Sequence, residues 1–225
     1  MPRLDISLVE TGLIPTRSRA KRAILCGLIS VDGKIIQKPS HSIKLNSKIE
    51  ILNEIALKPV GYWKLHAITN LSNVNLFNPT DVVLDLGSSA GGFLEFAAER
   101  CKKVYGIEIS EEFAPILFDL KQKYPNIDLH IADVFSFDPQ TLDQLDLILN
   151  DLTLDPAASI KILARFLSAL KVGGYIIMSV KQGKSSQENC KKFIQDKLGT
   201  LNLELKKFLD IDPDKKEFHL IAIKQ

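Results

Sequence analysis

The run DVVLDLGSSAGGFLEFAAER, residues 81–100, limits the possible folds more than any other part of the chain. Val82 to Leu86 is an apolar stretch broken only by Asp85, the pattern of a strand buried on both faces rather than one with a wet side. Small residues follow, from Gly87 through Ser88 to Gly91 and Gly92, and from Gly92 onward the pattern becomes helical. A strand, a tight loop and a helix in immediate succession form the opening unit of a doubly wound α/β domain whose sheet is mostly parallel. In such sheets the small-residue loop brings the backbone close to a nucleotide-type ligand.

The spacing of the loop is not GxGxxG, and Asp85 stands at its entrance. A carboxylate there would repel a dinucleotide pyrophosphate but suits the ammonium group of S-adenosylmethionine. The next apolar run, KVYGIEI, carries Glu108, 23 residues after Asp85, where an acid can accept both ribose hydroxyl hydrogens. A third, IDLHIAD, ends with Asp133, positioned to receive an adenine amino group. Each acid alone is weak evidence, because Asp and Glu commonly end strands. Three at the carboxyl ends of three successive strands define a cofactor site.

Two further runs carry polar residues at their ends. LDLILND is apolar up to Asp151, and GGYIIMSVKQGK leads to Lys181, with Lys184 beyond it as a candidate phosphate contact. The last run, EFHLIAIKQ, alternates as a strand. Were it antiparallel to its neighbour, its start would lie on the crevice side, setting Glu217 beside Asp151 and Lys181. An alcohol is a poor nucleophile. A desolvated lysine can lower its pKa while carboxylates hold that lysine in place.

The charge balance divides the chain. The whole sequence has a net charge of +2, but residues 1–58 hold ten Lys/Arg against five Asp/Glu, leaving the remainder acidic. PRLDISLVETG reads as a short helix with Leu4, Leu8 and Val9 inward and Gly12 as its stop. PTRSRAKRAILCG reads as a second helix, capped by Thr16 and ended by Gly27, with Arg17, Arg19, Lys21 and Arg22 in its first turns. Cations at a helix N-terminus oppose its dipole, and a bound phosphate would relieve that conflict. An Asp32-Gly33 hairpin and a strand ending near Leu52 complete the module.

This arrangement, with "RLD" at 3–5, residues 16–34, and "KP" at 38–39, resembles the small RNA-binding module called the S-four domain or alpha-L motif. That resemblance implies contact with structured RNA through shape and phosphates, with Arg3, Arg17, Arg19, Lys21 and Arg22 as the contacting residues. "LDLGSSAGGF" resembles the corresponding loop of class I S-adenosylmethionine-dependent methyltransferases, a Rossmann-like fold closed by an antiparallel last strand. With "YWKL" at 62–65, "ND" at 150–151, "SVKQGK" at 179–184 and "KEFHLIAIK" at 216–224, the chain looks like FtsJ-type RNA 2′-O-ribose methyltransferases.

The family's catalytic Lys-Asp-Lys-Glu set carries over onto Lys64, Asp151, Lys181 and Glu217. Its cofactor positions carry over onto Asp85, Gly87, Ser88, Gly91, Gly92, Phe93, Glu108 and Asp133. An S-four domain at 1–58 ahead of a methyltransferase domain at 59–225 is the arrangement of the TlyA (hemolysin A) family, whose activity is 2′-O-methylation of ribosomal RNA. The expected partner is therefore ribosomal RNA or a ribosomal subunit. The segment KPVGYW stands where that family has SRGG. A non-catalytic RNA-binding or ribosome-assembly protein that retains the fold is the competing expectation.

Cys26, Cys101 and Cys190 are too far apart for a CxxC pair, which argues against zinc and disulfides and for a reducing, cytoplasmic setting. No stretch approaches the ~20 apolar residues of a membrane span. In GYWKLHAI, Lys64 would come from a short helix before the first strand of the sheet, anchored by Trp63, Leu65 and Ile68, with His66 in a structural or partly exposed position.

Overall fold

The computed structural model describes residues 2–183, 185–211 and 215–225, and the chain divides into two compact units, Met1–Trp63 and Lys64–Gln225. Lys184 lies outside the described residues.

The first unit contains helices α1 (Leu4–Glu10) and α2 (Arg17–Leu25) and strands β1 (Ile29–Val31), β2 (Lys34–Ile35) and β3 (Ile49–Ile51), the sheet order being β2-β1-β3. Helical spacing puts Leu4 and Leu8 on one side of α1 and Ala20, Ala23 and Ile24 on one side of α2, and all five are fully buried with Ile14 and Ile29. Thr16 caps α2 through its hydroxyl, which accepts the Arg19 N–H. The hairpin turns at Asp32 (φ 50°) and Gly33 (φ 76°), two left-handed residues in succession, which matches the twist of the flanking strands.

Asp5 resolves the conflict between Arg17 and the α2 dipole inside the chain. It is fully buried, and its two oxygens accept from Arg3 Nε at 2.9 Å and Arg17 Nε at 2.9 Å. The Arg3 hydrogen bond is the main influence holding the Asp5 carboxyl below the usual carboxylate range, with Arg17 adding to it against the effect of burial.

The second unit is built on one seven-stranded sheet. Its strands are β4 (Val82–Leu86), β5 (Lys103–Glu108), β6 (Ile127–Ile131), β7 (Leu145–Asn150), β8 (Leu170–Lys181), β9 (Leu203–Leu209) and β10 (Glu217–Lys224). In the order β6-β5-β4-β7-β8-β10-β9, the first five strands are parallel, and β10 runs antiparallel to both β8 and β9. The sheet therefore has the parallel body and antiparallel strand beside it that the sequence predicts. β9, an edge strand carrying Lys206 and Lys207, was not expected, because LELKKFL lacks a continuous apolar run.

Helices α4 (Gly92–Ala98), α5 (Ala114–Lys123), α6 (Pro156–Phe166) and α7 (Gln187–Thr200) pack against the sheet. Phe96, Phe166 and Phe218 are fully buried, each contributing about 1.5–3 kcal/mol by its transfer from water. Helix α3 (Val60–Ser72) crosses the division between the units. Leu65 and Ile68 are fully buried as predicted, but Trp63 is only half-buried while Tyr62 is buried. Among the described residues no helix is long and apolar enough to cross a membrane.

Replacing Asp5 by Ala leaves Arg17 unopposed at the start of α2, and the expected result is a thermal midpoint lower by a few degrees at pH 7. Because the folded pKa of Asp5 is depressed, its contribution is present above the unfolded value of ~3.9 and lost as pH falls through the folded one. Circular-dichroism melts of wild type and Asp5→Ala should therefore draw together as the pH is lowered below the unfolded value.

Candidate active site

Strand order reverses between β4 and β7, so the crevice of this sheet opens at their carboxyl ends. A cavity of about 490 Å³ lies there, lined by Gly87, Ser89, Glu108, Ile109, Phe113, Asp133, Val134, Phe135 and Asp151 to Leu154. Its volume suits a nucleoside-sized ligand. Of the sequence-predicted cofactor residues, Gly87, Glu108 and Asp133 line it; Ser88, Gly91, Gly92 and Phe93 lie nearby in the chain but outside its wall.

Gly87 has φ +80°, a left-handed backbone that favours glycine, and a Cβ there would come within 2.7 Å of Leu152 Cδ2. Glu108 is nearly buried, and its carboxylate accepts the backbone N–H groups of Ser89 and Ser110, each at 2.8 Å. Each oxygen keeps a lone pair for a hydroxyl donor. Asp133 lies two residues beyond the end of β6, later than the strand expected from IDLHIAD. One of its oxygens accepts the Phe135 N–H at 2.9 Å.

Asp85 is the next-to-last residue of β4, at the entrance of the loop as the sequence predicts. It is fully buried, and neither carboxylate oxygen has a hydrogen-bond partner. Burial above all pushes it up to about 7, against a lowering influence from the nearby Ser88 side chain and with the charges of Asp151 and Glu108 in support. A buried carboxyl without a donor is costly, and a cationic group bound beside Asp151 and Glu108 would relieve that cost. The unsatisfied acid, the Glu108 lone pairs and the close backbone approach at Gly87 together fit S-adenosylmethionine.

At the rim of this cavity Asp151 belongs to a second constellation. Lys64 Nζ lies 2.9 and 2.8 Å from the two Asp151 oxygens and 3.0 Å from Glu217 Oε1. Lys181 Nζ lies 3.0 Å from Asp151 Oδ1 and is hydrogen-bonded to Glu217 Oε2. Two cations and two anions thus alternate around a closed ring, their side chains between 11% and 26% exposed. The ladder accounts for half of it, since Glu217 and Lys181 are direct partners across β10 and β8. Lys64 comes from α3, and Asp151 from the residue immediately after β7.

Burial and the neighbouring Lys64 charge lower the pKa of Lys181, against the pull of Asp151. Burial would raise Asp151, but the Lys64 and Lys181 charges overcome it and hold that carboxyl below its ordinary range. Sequence reasoning missed two neighbours of the ring, Ser179 and His219. Period-two spacing was the available signal, since each stands two residues from a ring member on the same strand. Among the described residues no cluster of His, Cys, Asp or Glu is able to hold a metal ion.

The basic residues of the first unit are partly engaged. Arg3 and Arg17 hold Asp5, with their side chains 43% and 51% exposed, and Arg19 donates to the Leu57 carbonyl. Lys21 is exposed and Arg22 half-buried.

The S4 domain profile matches residues 2–49, and the FtsJ-like methyltransferase profile matches residues 59–204. An uncharacterized protein of Methanocaldococcus jannaschii is 30% identical over 155 residues, a match covering 67% of this chain and 42% of that protein. Hemolysin A of Brachyspira hyodysenteriae is 30% identical over 108 residues, covering 48% and 44%. Among solved structures, the Methanococcus jannaschii fibrillarin pre-rRNA processing protein aligns with a TM-score of 0.64 at 23% identity over 81% of each chain, a likeness of fold. The chain spans less than half the length of the curated relatives it matches.

The buried acid of β4 has a measurable consequence for stability. Folded Asp85 keeps its proton up to about pH 7, whereas an unfolded Asp loses it near ~3.9, so the folded state binds more protons across that window. The contribution of Asp85 to stability should therefore fall as pH rises from 4 to 7. Asp85→Asn is expected to flatten that decline and raise the midpoint of the ligand-free protein at pH 8, measured by thermal unfolding.

Proposed function

Since the chain belongs to the FtsJ-like methyltransferase family, we propose that it methylates ribose 2′-hydroxyl groups of structured RNA, with ribosomal RNA as the substrate. The observation that carries this reading is the closed Lys64–Asp151–Lys181–Glu217 ring at the rim of the cavity, with Asp151 common to both. The S4 domain at residues 2–49 supports an RNA substrate.

In this reading S-adenosylmethionine, when bound, supplies an electrophilic methyl group. Asp85 balances the charge of its amino group, Glu108 accepts from its ribose, and Asp133 receives its adenine amino group. The small-residue loop through Gly87, Ser88, Gly91 and Gly92 allows the close approach, with the buried Phe93 fixing the start of α4 behind it. Lys181, already depressed by burial, draws the proton from the ribose hydroxyl as the oxygen becomes nucleophilic. Asp151 and Glu217 hold that amine in place. Lys64 pairs with both carboxylates as well, and its charge offsets their tendency to keep Lys181 protonated. The chain's main task is alignment, because the electrophile needs no further activation.

Arg3, Arg17, Arg19, Lys21 and Arg22 supply phosphate contacts in this proposal, with Arg17 and Lys21 the exposed cations of α2. Their binding should follow shape and charge rather than base sequence.

Lys181→Ala tests the reading directly. Methyl transfer from labelled S-adenosylmethionine to in vitro-transcribed ribosomal RNA should fall at least ~100-fold, while calorimetry still detects cofactor binding. The wild-type product should resist alkaline cleavage at one ribose, since a methylated 2′-oxygen cannot attack the adjacent phosphodiester. Methylation on a base, or full activity of Lys181→Ala, would overturn the assignment. The pH dependence provides a second check. Because Lys181 is depressed, kcat should rise with pH and level off below the ~10.4 of an ordinary lysine. A limb at or above that value in a pH–rate profile would exclude Lys181 as the proton acceptor.

A further inference from the structure

His219 is the polar side chain next to the ring that the reaction above does not use. It is 2% exposed near the start of β10, and its ladder partner across β8 is Ser179, which is 1% exposed. Its Nδ1 lies 3.0 Å from Ser179 Oγ, and its Nε2 faces Glu217 Oε1 at 3.5 Å. That same Oε1 holds Lys64 at 3.0 Å, while the other Glu217 oxygen holds Lys181.

Burial, more than any single charge, drives the His219 pKa down to about 4, so the ring is neutral at pH 7. The charged groups around it are Lys64 from α3, Asp151 after β7, Lys181 from β8, Glu217 on its own strand and Asp210 after β9. The lysines oppose its protonation, and Asp151 and Asp210 favour it. A neutral imidazole has one N–H and one lone pair. With the lone pair on Nε2, two electron-rich groups would face each other at Glu217. With the proton on Nε2, the N–H dipole points at the carboxylate across 3.5 Å and Nδ1 accepts the Ser179 hydroxyl proton, the favourable arrangement for both groups.

We propose that Ser179 and His219 form a buried brace in which Ser179 Oγ–H donates to His219 Nδ1 and His219 Nε2–H orients the Glu217 carboxylate, making His219 a positioning residue for methyl transfer. This rests on the proposed role of the ring, but the tautomer it requires is independent of activity. His219 touches neither cavity nor solvent, and its depressed basicity suits it poorly to proton transfer at pH 7. Its effect acts through Glu217, whose two oxygens set the separation of the two lysine amines.

Long-range proton–nitrogen NMR of the ligand-free protein, with His219 assigned by its loss in His219→Gln, should show a neutral Nε2–H tautomer that persists down to about pH 5. An Nδ1–H tautomer, or titration near the ordinary histidine value, would overturn the brace whatever the activity. In methyl-transfer assays with in vitro-transcribed ribosomal RNA, His219→Leu should lower kcat about 10- to 100-fold with KM for S-adenosylmethionine nearly unchanged. His219→Gln, which keeps a donor near the Nε2 position, should recover most of that loss. Wild-type kcat in a folded His219→Leu, or equal losses in both variants, would refute the proposal. If Lys181→Ala is fully active, the reading of the ring fails, and the NMR tautomer still decides the brace.

Discussion

The alternating ring of Lys64, Asp151, Lys181 and Glu217 is the interaction on which the rest of the second unit depends. Its partners are far apart in sequence, Lys64 and Asp151 by 87 residues, Asp151 and Lys181 by 30, and Lys181 and Glu217 by 36. Four half-buried charges at one sheet edge would be prohibitive if any lacked its counter-charge, because an unpaired ion out of water costs several kcal/mol. Their closure into a ring therefore constrains three separate packing events: the seating of α3, the adjacency of β7 and β8, and the antiparallel register of β10. A one-residue slip of β10 would turn Glu217 to the opposite face and break the ring.

Asp85 and the ring show opposite uses of buried charge. In the ring every carboxylate oxygen has a cationic partner, and Asp151 is held ionised despite its burial. Asp85 lies within the same sheet, one strand away, with no donor and a pKa pushed up to about 7. The first arrangement satisfies the protein's own groups; the second leaves a polar group waiting for one that the protein does not supply. Unsatisfied buried groups of this kind concentrate at ligand sites, where stability is exchanged for recognition. Asp5 in the first unit, paired with two arginines, shows the purely structural alternative for a buried carboxylate.

Much of this was legible from local pattern. The buried run of β4, the small-residue loop, the capped basic helix and the Asp-Gly hairpin each follow from propensities acting over a few residues, and their ends lie within a residue or two of expectation. The strand-end positions of Glu108, Asp151, Lys181 and Glu217 were readable because apolar runs end where the sheet meets solvent. Resemblance to the FtsJ-type family added Lys64, which no local pattern ties to the sheet. β9 was not readable, since an edge strand needs no apolar continuity. The partners of Arg3 and Arg17 were not readable either, because a cation's partner depends on the path of the chain around it.

The sequence by itself determined which segments become strands and helices, that the sheet is mostly parallel, and which polar residues arrive at its carboxyl edge. Those properties depend on short-range periodicity and the preference of apolar side chains for burial. Only the tertiary structure decided that Asp85 is sealed away without a donor, that Asp5 takes up two of the basic residues, and that His219 lies against Ser179 behind Glu217. Each of these depends on register and on the distance between groups remote in the chain. Hydrogen bonds are lost over an ångström or so, a precision that hydrophobic pattern does not encode.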